Sequence, residues 1–231
     1  MAGKGTKTGS SFFRWLLVYI PLWFIGITVL WVTILKWMPV YVTPLMAIRT
    51  YENWDDKNFT TYKTWVPMER ISPNLAKAVI ASEDARFYTH KGFDWIEIEN
   101  AVEAHRKGKK LRGASTISQQ TAKNVFLVPG RNWIRKGLET YFTFLIEQIW
   151  GKERILEVYL NVAEMGKGIY GAGAAAERLF NTRASKLTQH QSALITACLP
   201  NPLKRKANSP TPGITKRASE IKKLMQSVEL Q

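Results

Sequence analysis

Ser72-Pro73-Asn74-Leu75-Ala76-Lys77-Ala78-Val79-Ile80-Ala81-Ser82-Glu83-Asp84 is the stretch from which the fold can be read. Ser72 is an N-cap residue, and Pro73 suits the first helical turn, where its missing N–H costs nothing. Leu75, Val79 and Glu83 then follow at steps of four and share one face. A carboxylate therefore falls on the stripe that should meet a core, near the end of its helix. Desolvation and the negative end of the helix dipole would both disfavour ionisation there, an environment suited to a general base. Asp84 is turned roughly 100° away and is better placed to orient than to take a proton. The same pattern also fits a buried carboxylate paired with a structural arginine.

Toward the C-terminus the helical reading continues. Ser115 can cap a segment through Asn124. Ile134, Leu138, Tyr141, Phe142, Leu145 and Ile149 form a long apolar stripe that Gly151 can terminate. Ile155, Leu156, Tyr159 and Leu160 form another stripe. Thr188 with Gln191 reads as a capping box ahead of Ala193, Leu194 and Ala197. A polar, proline-rich loop spans Pro200 to Pro212, and a basic amphipathic helix follows it. With no comparable run of period-two alternation, the fold class is mainly α.

Toward the N-terminus, Pro39 to Pro67 is aromatic with little periodicity and suggests an irregular stalk along a membrane surface. Trp15 to Leu35 is a run of 21 residues without a charge, and about 20 apolar residues suffice to cross a bilayer. Arg14 and Lys36 bracket it, Trp15, Trp31 and Trp37 lie where an interfacial aromatic belt belongs, and Pro21 is a candidate kink. A cleaved signal peptide would be shorter and end in a small-residue cleavage site. Lys4, Lys7 and Arg14 precede the span with no acidic residue, which assigns the tail to the cytoplasm and the remainder to the outer face. The expected organisation is a tail over 1–14, a transmembrane helix over 15–36, a membrane-proximal stalk over 37–70 and a catalytic domain over 71–231.

Composition narrows the function. The 231 residues are 45% hydrophobic with ordinary glycine and proline content, which excludes disorder and collagen-like repeats. A single cysteine, Cys198, forbids an internal disulfide, and 3 histidines are too few for a Cys/His zinc site, so any metal would need carboxylate ligands. The net charge is +15, of which +11 remains once the tail and span are removed. An exported, tethered domain meets anionic lipid and phosphate rather than nucleic acid, so the charge points to lipid head groups or a pyrophosphate ligand.

Two further clusters carry chemistry. Gly113-Ala-Ser115-Thr116-Ile-Ser118-Gln119-Gln120-x-x-Lys123-Asn124 gathers hydroxyls, amides and a cation at a fresh helix N-terminus, where backbone N–H groups are open to a polyhydroxylated or phosphorylated ligand. A capped surface helix would look similar. Arg131, Arg135 and Glu139 fall at i, i+4 and i+8 with Lys136 alongside. Such a row can hold a pyrophosphate, directly or through a metal ion on Glu139, and it equally fits surface ion pairs worth a fraction of a kcal/mol.

Together with Glu83-Asp84-x-x-Phe87-x-x-His90-x-Gly92, Lys152-x-x-Ile155-Leu156-Glu157-x-Tyr159-Leu160-Asn161 and Gly168-Ile169-Tyr170-Gly171-Ala172, these segments resemble the peptidoglycan glycosyltransferase family, number 51 among glycosyltransferases, and in particular its monofunctional biosynthetic members. The likeness runs from about Ala76 to about Pro202 in the family's order and spacing, with Ala114 where a second glycine is commoner. It implies a lysozyme-like, mostly helical glycosyltransferase domain preceded by one transmembrane helix, and polymerisation of lipid II into β-1,4-linked glycan with inversion. By the family pattern Glu83 deprotonates the acceptor 4-hydroxyl, and Glu139 acts on the donor side. Lys123, Arg131, Arg135 and Lys136 would then lie near the leaving undecaprenyl pyrophosphate. Asp84, Ser115, Thr116, Gln119, Gln120 and Asn124 would line the cleft, Glu157 and Tyr159 look architectural, and a divalent cation such as magnesium, held at Glu139, would assist.

The implied partners are lipid II, the growing glycan, the bilayer and cell-wall synthesis proteins, with no nucleic acid. The implied location is the bacterial plasma membrane, with the catalytic domain on its periplasmic or outer side. Ser219-Glu-Ile-Lys222, Ser72-Pro-Asn74 and Lys7-Thr8-Gly9 match transpeptidase signatures only in reversed order, and the chain is too short for a second enzyme domain. A lysozyme-like hydrolase would also use a buried glutamate but needs no cation row. A non-catalytic wall-binding protein would need no base.

Overall fold

The computed structural model describes residues 8–108, 113, 115–130 and 132–231, with side chains from residue 15 onward. The chain forms two units, residues 1–38 and 39–231. The first is one helix, α1 (Thr8–Leu35), whose segment Trp15–Leu35 is long and apolar enough to cross a membrane. Its two threonine hydroxyls in that segment are satisfied internally: Thr28 Oγ1 donates to the Phe24 carbonyl at 2.8 Å and Thr33 Oγ1 to the Val29 carbonyl at 2.7 Å. That back-bonding removes the penalty of a hydroxyl in an apolar medium. Lys4 and Lys7, on which the tail assignment leans, lie outside the described residues.

In the second unit the segment expected to be irregular contains a helix, α2 (Pro44–Glu52), and a short strand, β1 (Tyr62–Lys63). Thr43 caps α2 and Pro44 opens it, but nine residues are too few to show a clear period. β1 owes its form to a partner far along the chain, which no local pattern records.

Helix α3 (Pro73–Glu83) starts where Ser72 and Pro73 place it. Ser72 Oγ accepts from the Asn74 N–H at 3.3 Å and donates to the Leu187 carbonyl at 2.8 Å, tying the cap to the far end of the domain. Next come α4 (Trp95–Arg106), α5 (Ile117–Phe126), α6 (Trp133–Ile149) and α7 (Lys152–Val162). Strands β2 (Glu164–Gly166) and β3 (Ile169–Tyr170) lead into α8 (Gly171–Phe180), and α9 (Gln189–Cys198) and α10 (Pro212–Leu224) complete the chain. The capping residue of α5 is Thr116, one position beyond the expected Ser115, and the Thr188–Gln191 capping box on α9 forms as read.

α5 packs between α6 and α7, and α3 packs against α9 and α10. Leu75, Val79, Ile117, Ala122, Ile146, Ile155, Leu156 and Ile195 fill these contacts, and Phe126 stacks on Phe142 with centroids 4.5 Å apart. The small sheet runs β1-β3-β2, with β1 parallel and β2 antiparallel to β3. Asn161 joins the sheet side to α7: its side chain accepts the Val66 N–H and donates to the Val66 carbonyl, both at 2.8 Å. Glu157 accepts the Met68 N–H at 3.3 Å. Glu157 and Asn161 therefore lock the segment between β1 and α3 onto α7.

Candidate active site

Glu83 is the last residue of α3, half-buried, with its carboxylate facing α5. Gln120 Nε2 donates to Glu83 Oε2 at 3.0 Å, and the Tyr159 hydroxyl donates to Gln120 Oε1 at 3.2 Å. Burial, with the Glu83 and Asp84 carboxylates nearby, pushes the Tyr159 phenol well above its ordinary value. It stays a donor throughout the working range.

Asp84 is occupied differently. Its carboxylate accepts the Ile117 N–H at 3.0 Å and meets His90 Nε2 at 2.9 and 3.0 Å. It thereby satisfies an amide of the first turn of α5 that has no partner within the helix, and it draws the end of α3 onto that turn. Thr116 and Gln119 are likewise drawn into the framework. The Thr116 hydroxyl donates to the Gly92 carbonyl at 2.7 Å and accepts the Gln119 N–H, while Gln119 Oε1 accepts the Thr116 N–H at 3.0 Å. Gly92, at φ +88°, lets the loop after α3 pass that close.

Lys123 lies one turn beyond Gln120 on the same face of α5, with Asn124 beside it, both half-buried. Burial pushes the Lys123 ammonium down, Glu139 opposes that, Arg135 and Lys136 add to it, and Glu83 opposes it again. One ammonium is thus in electrostatic reach of both carboxylates and of the cations on α6. On α6, Arg135 Nη1 meets Glu139 Oε2 at 3.0 Å and Lys136 Nζ meets Glu139 Oε1 at 2.5 Å. Glu139 is only 4% exposed, so this is not the surface pairing that the spacing also allowed. Arg131, the first member of the expected row, lies outside the described residues.

Both oxygens of Glu139 are engaged by cations, and among the described residues no three His, Cys, Asp or Glu side chains converge as metal ligands. A divalent cation held by Glu139 would have to displace Arg135 or Lys136 from one of its oxygens and draw its other ligands from substrate phosphate and water.

Glu83 opens onto two cavities. One, of about 420 Å³, is walled by Glu83, Asp84, Ser115, Thr116, Arg86 and Glu97 and by Arg217, Glu220, Ile221 and Leu224 of α10. The other, of about 340 Å³, lies between Glu83, Ser115, Gln120, Pro200 and Arg217. Lys123, Arg135, Lys136 and Glu139 line neither of these two cavities. The structure therefore brings Glu83, Ser115 and Gln120 together around the opening, with Lys123 one turn further along α5 and in electrostatic reach of Glu83, Arg135, Lys136 and Glu139. Asp84 and Thr116 line the larger cavity as well as holding the frame, and Gln119 serves the frame.

Arg217 and Glu220 were missed by sequence reading. Arg217 donates to Ser82 Oγ at 3.3 Å, and its Nε is buried without a partner among the described residues. The available signal was position: both residues flank the buried stripe Ile214, Ala218, Ile221 of α10.

A model of the transglycosylase family matches residues 51–226. A biosynthetic peptidoglycan transglycosylase of Bacteroides thetaiotaomicron is 56% identical over 208 residues, covering 90% of this chain and 84% of its own length. A protein of the same name from Caulobacter vibrioides is 52% identical, covering 83% of this chain and 82% of its own. One from Bdellovibrio bacteriovorus is 46% identical, with 90% and 83% covered.

Proposed function

The chain belongs to the transglycosylase family, whose domain is lysozyme-like and builds peptidoglycan, and from that premise we propose that it polymerises lipid II with Glu83 as the general base. The acceptor 4-hydroxyl gives its proton to Glu83 as its oxygen attacks the donor's anomeric carbon from the face opposite the diphosphate. The bond from that carbon to the phosphate oxygen breaks, its electron pair leaves on undecaprenyl pyrophosphate, and the new β-1,4 bond has inverted configuration. Lys123, Arg135 and Lys136 offset the charge that develops on the departing diphosphate. Glu139, fixed between Arg135 and Lys136, sets their geometry.

One observation carries this reading: Glu83, bonded to Gln120, opens onto the cleft, Lys123 stands one helical turn from Gln120 on the same face of α5, and Arg135 and Lys136 clasp the buried Glu139 on α6, which packs against α5. A hydrolase has no use for a cation bank beside its base. The apolar α1 anchors the enzyme in the bacterial plasma membrane, tail in the cytoplasm and catalytic unit outside, so that both lipid-tailed substrates diffuse in its plane.

Purified lipid II supplies the test. Wild-type protein is expected to yield polymer and undecaprenyl pyrophosphate, and Glu83→Gln to lose about 10²- to 10⁴-fold in turnover while keeping its melting temperature. Lys123→Ala or Arg135→Ala is expected to cost on the order of 10²-fold, with the loss concentrated in use of the diphosphate donor. Shortened glycan from mature wall in place of polymer, or a fully active Glu83→Gln, would overturn the reading.

A further inference from the structure

A general base must be ionised when its substrate arrives and must not keep the proton afterwards. Gln120 touches Glu83 with its amide nitrogen and Tyr159 with its amide oxygen. An amide is directional, because its NH₂ can only donate and its oxygen can only accept. Tyr159 is 1% exposed, and among the described residues Gln120 is the one hydrogen-bond partner of its hydroxyl. A buried hydroxyl stranded without an acceptor is costly. The phenol therefore claims the amide oxygen, which leaves the NH₂ for Glu83, and an NH₂ group favours a carboxylate over a carboxylic acid.

We infer that Tyr159 is a positioning residue for the proton transfer: through Gln120 it sets the direction of the amide and so holds Glu83 in its proton-accepting form. The inference rests on reading Glu83 as the base. Once Glu83 has taken the acceptor proton on the oxygen that faces the cleft, Oε2 becomes the carbonyl of a neutral acid and accepts the amide N–H less strongly than the carboxylate did. The line therefore disfavours the protonated product state and favours return of the proton to solvent.

Among the described residues, the charged groups around Glu83 are Asp84 beside it, Lys123 from α5, Arg217 and Glu220 from α10, and Arg86, Asp94 and Glu97 across the larger cavity. The buried face of α9, Ser192–Cys198, carries no charged side chain, and neither does the turn Met225–Ser227, which also packs on α3. Exchanges of Tyr159 or Gln120 for uncharged residues leave all of these charges in place.

The test is the pH profile of kcat/KM for lipid II polymerisation by the full chain. Tyr159→Phe, folded by circular dichroism, is expected to move the acid limb upward by about half a pH unit or more, the equivalent of one hydrogen bond. Gln120→Met, which leaves Tyr159 in place and can neither donate to Glu83 nor accept from the phenol as the amide does, is expected to move it the same way. The double variant should move no further than Gln120→Met alone, because Tyr159 acts through Gln120. A role in packing alone would lower stability and leave the limb where it was. An unmoved limb in Gln120→Met overturns the inference even if Tyr159→Phe proves hard to fold, and so does a Tyr159→Phe shift that persists at full size without Gln120. If Glu83→Gln abolishes polymer while both limbs stay put, only the positioning role falls; if Glu83→Gln stays active, the base assignment falls with it.

Discussion

A lysine ammonium pressed between a backbone carbonyl and an indole ring has little water to share. Lys63 Nζ donates to the Asn161 carbonyl and stands 5.1 Å over the Trp65 ring, and burial pushes it down to about 8. The unfolded chain, with an ordinary lysine, binds this proton up to about pH 10.5. Between those values the unfolded state holds more protons than the folded one, so stability should rise with pH through that window and be lower below it. In denaturant titrations at pH 8 and pH 10.5, wild type is expected to gain on Lys63→Met as pH rises, and a constant difference would contradict the assignment. At the same scale the site separates neighbours by their bonds: Glu83 keeps one oxygen for the cleft, whereas Asp84 has both committed to His90 and one of them also to Ile117.

Elements join at places where a side chain has no room. Gly171 opens α8 at φ +78°, and a Cβ there would sit 2.4 Å from the Asn161 carbonyl oxygen, the same carbonyl that Lys63 holds. Gly171→Ala combines left-handed strain of about 1–3 kcal/mol with a clash against backbone that cannot yield. It should lower the unfolding free energy by about 3 kcal/mol or more and release the sheet from α7. Gly137, in the middle of α6, meets nothing within 4 Å. Gly137→Ala should instead stabilise by about 0.5–1 kcal/mol through helix propensity alone. Thermal melts of the two variants in opposite directions would check that close approach, and not helix geometry in general, sets the glycine requirement.

For the molecule as a whole, the proposed function divides the work between the two units, one holding the enzyme at its substrate and the other performing the reaction. Residues 39–231 bury their own core, so a chain starting at Pro39 should melt within a few degrees of the full protein. It should polymerise a soluble, short-tailed lipid II in detergent at a comparable rate. On lipid II embedded in vesicles its rate should fall about tenfold or more, because confinement to the plane raises effective concentration. Equal rates on vesicles would remove that role from α1. The excess of cations over anions adds attraction to anionic lipid, which should weaken as salt is raised.

The sequence by itself determined whatever depends on near neighbours. A 21-residue uncharged run, the Ser72-Pro73 start of α3, the Thr188–Gln191 capping box and the step-of-four stripe ending at Glu83 are local facts, and helices are local structures. Motif order then named a family and made Glu83 the candidate base. Only the tertiary structure decided what depends on residues far apart in the chain: β1, which exists because β3 lies beside it; Arg217 and Glu220, which α10 carries to Glu83; and the contact of Gln120 with Tyr159, 39 positions away. It also decided that Glu139 is buried between two cations and that Asp84 and Thr116 hold the frame. Spacing along one helix tells which side chains share a face. What that face meets is set by packing, and the meeting is what turns a polar residue into a base, an anchor or a guide for another.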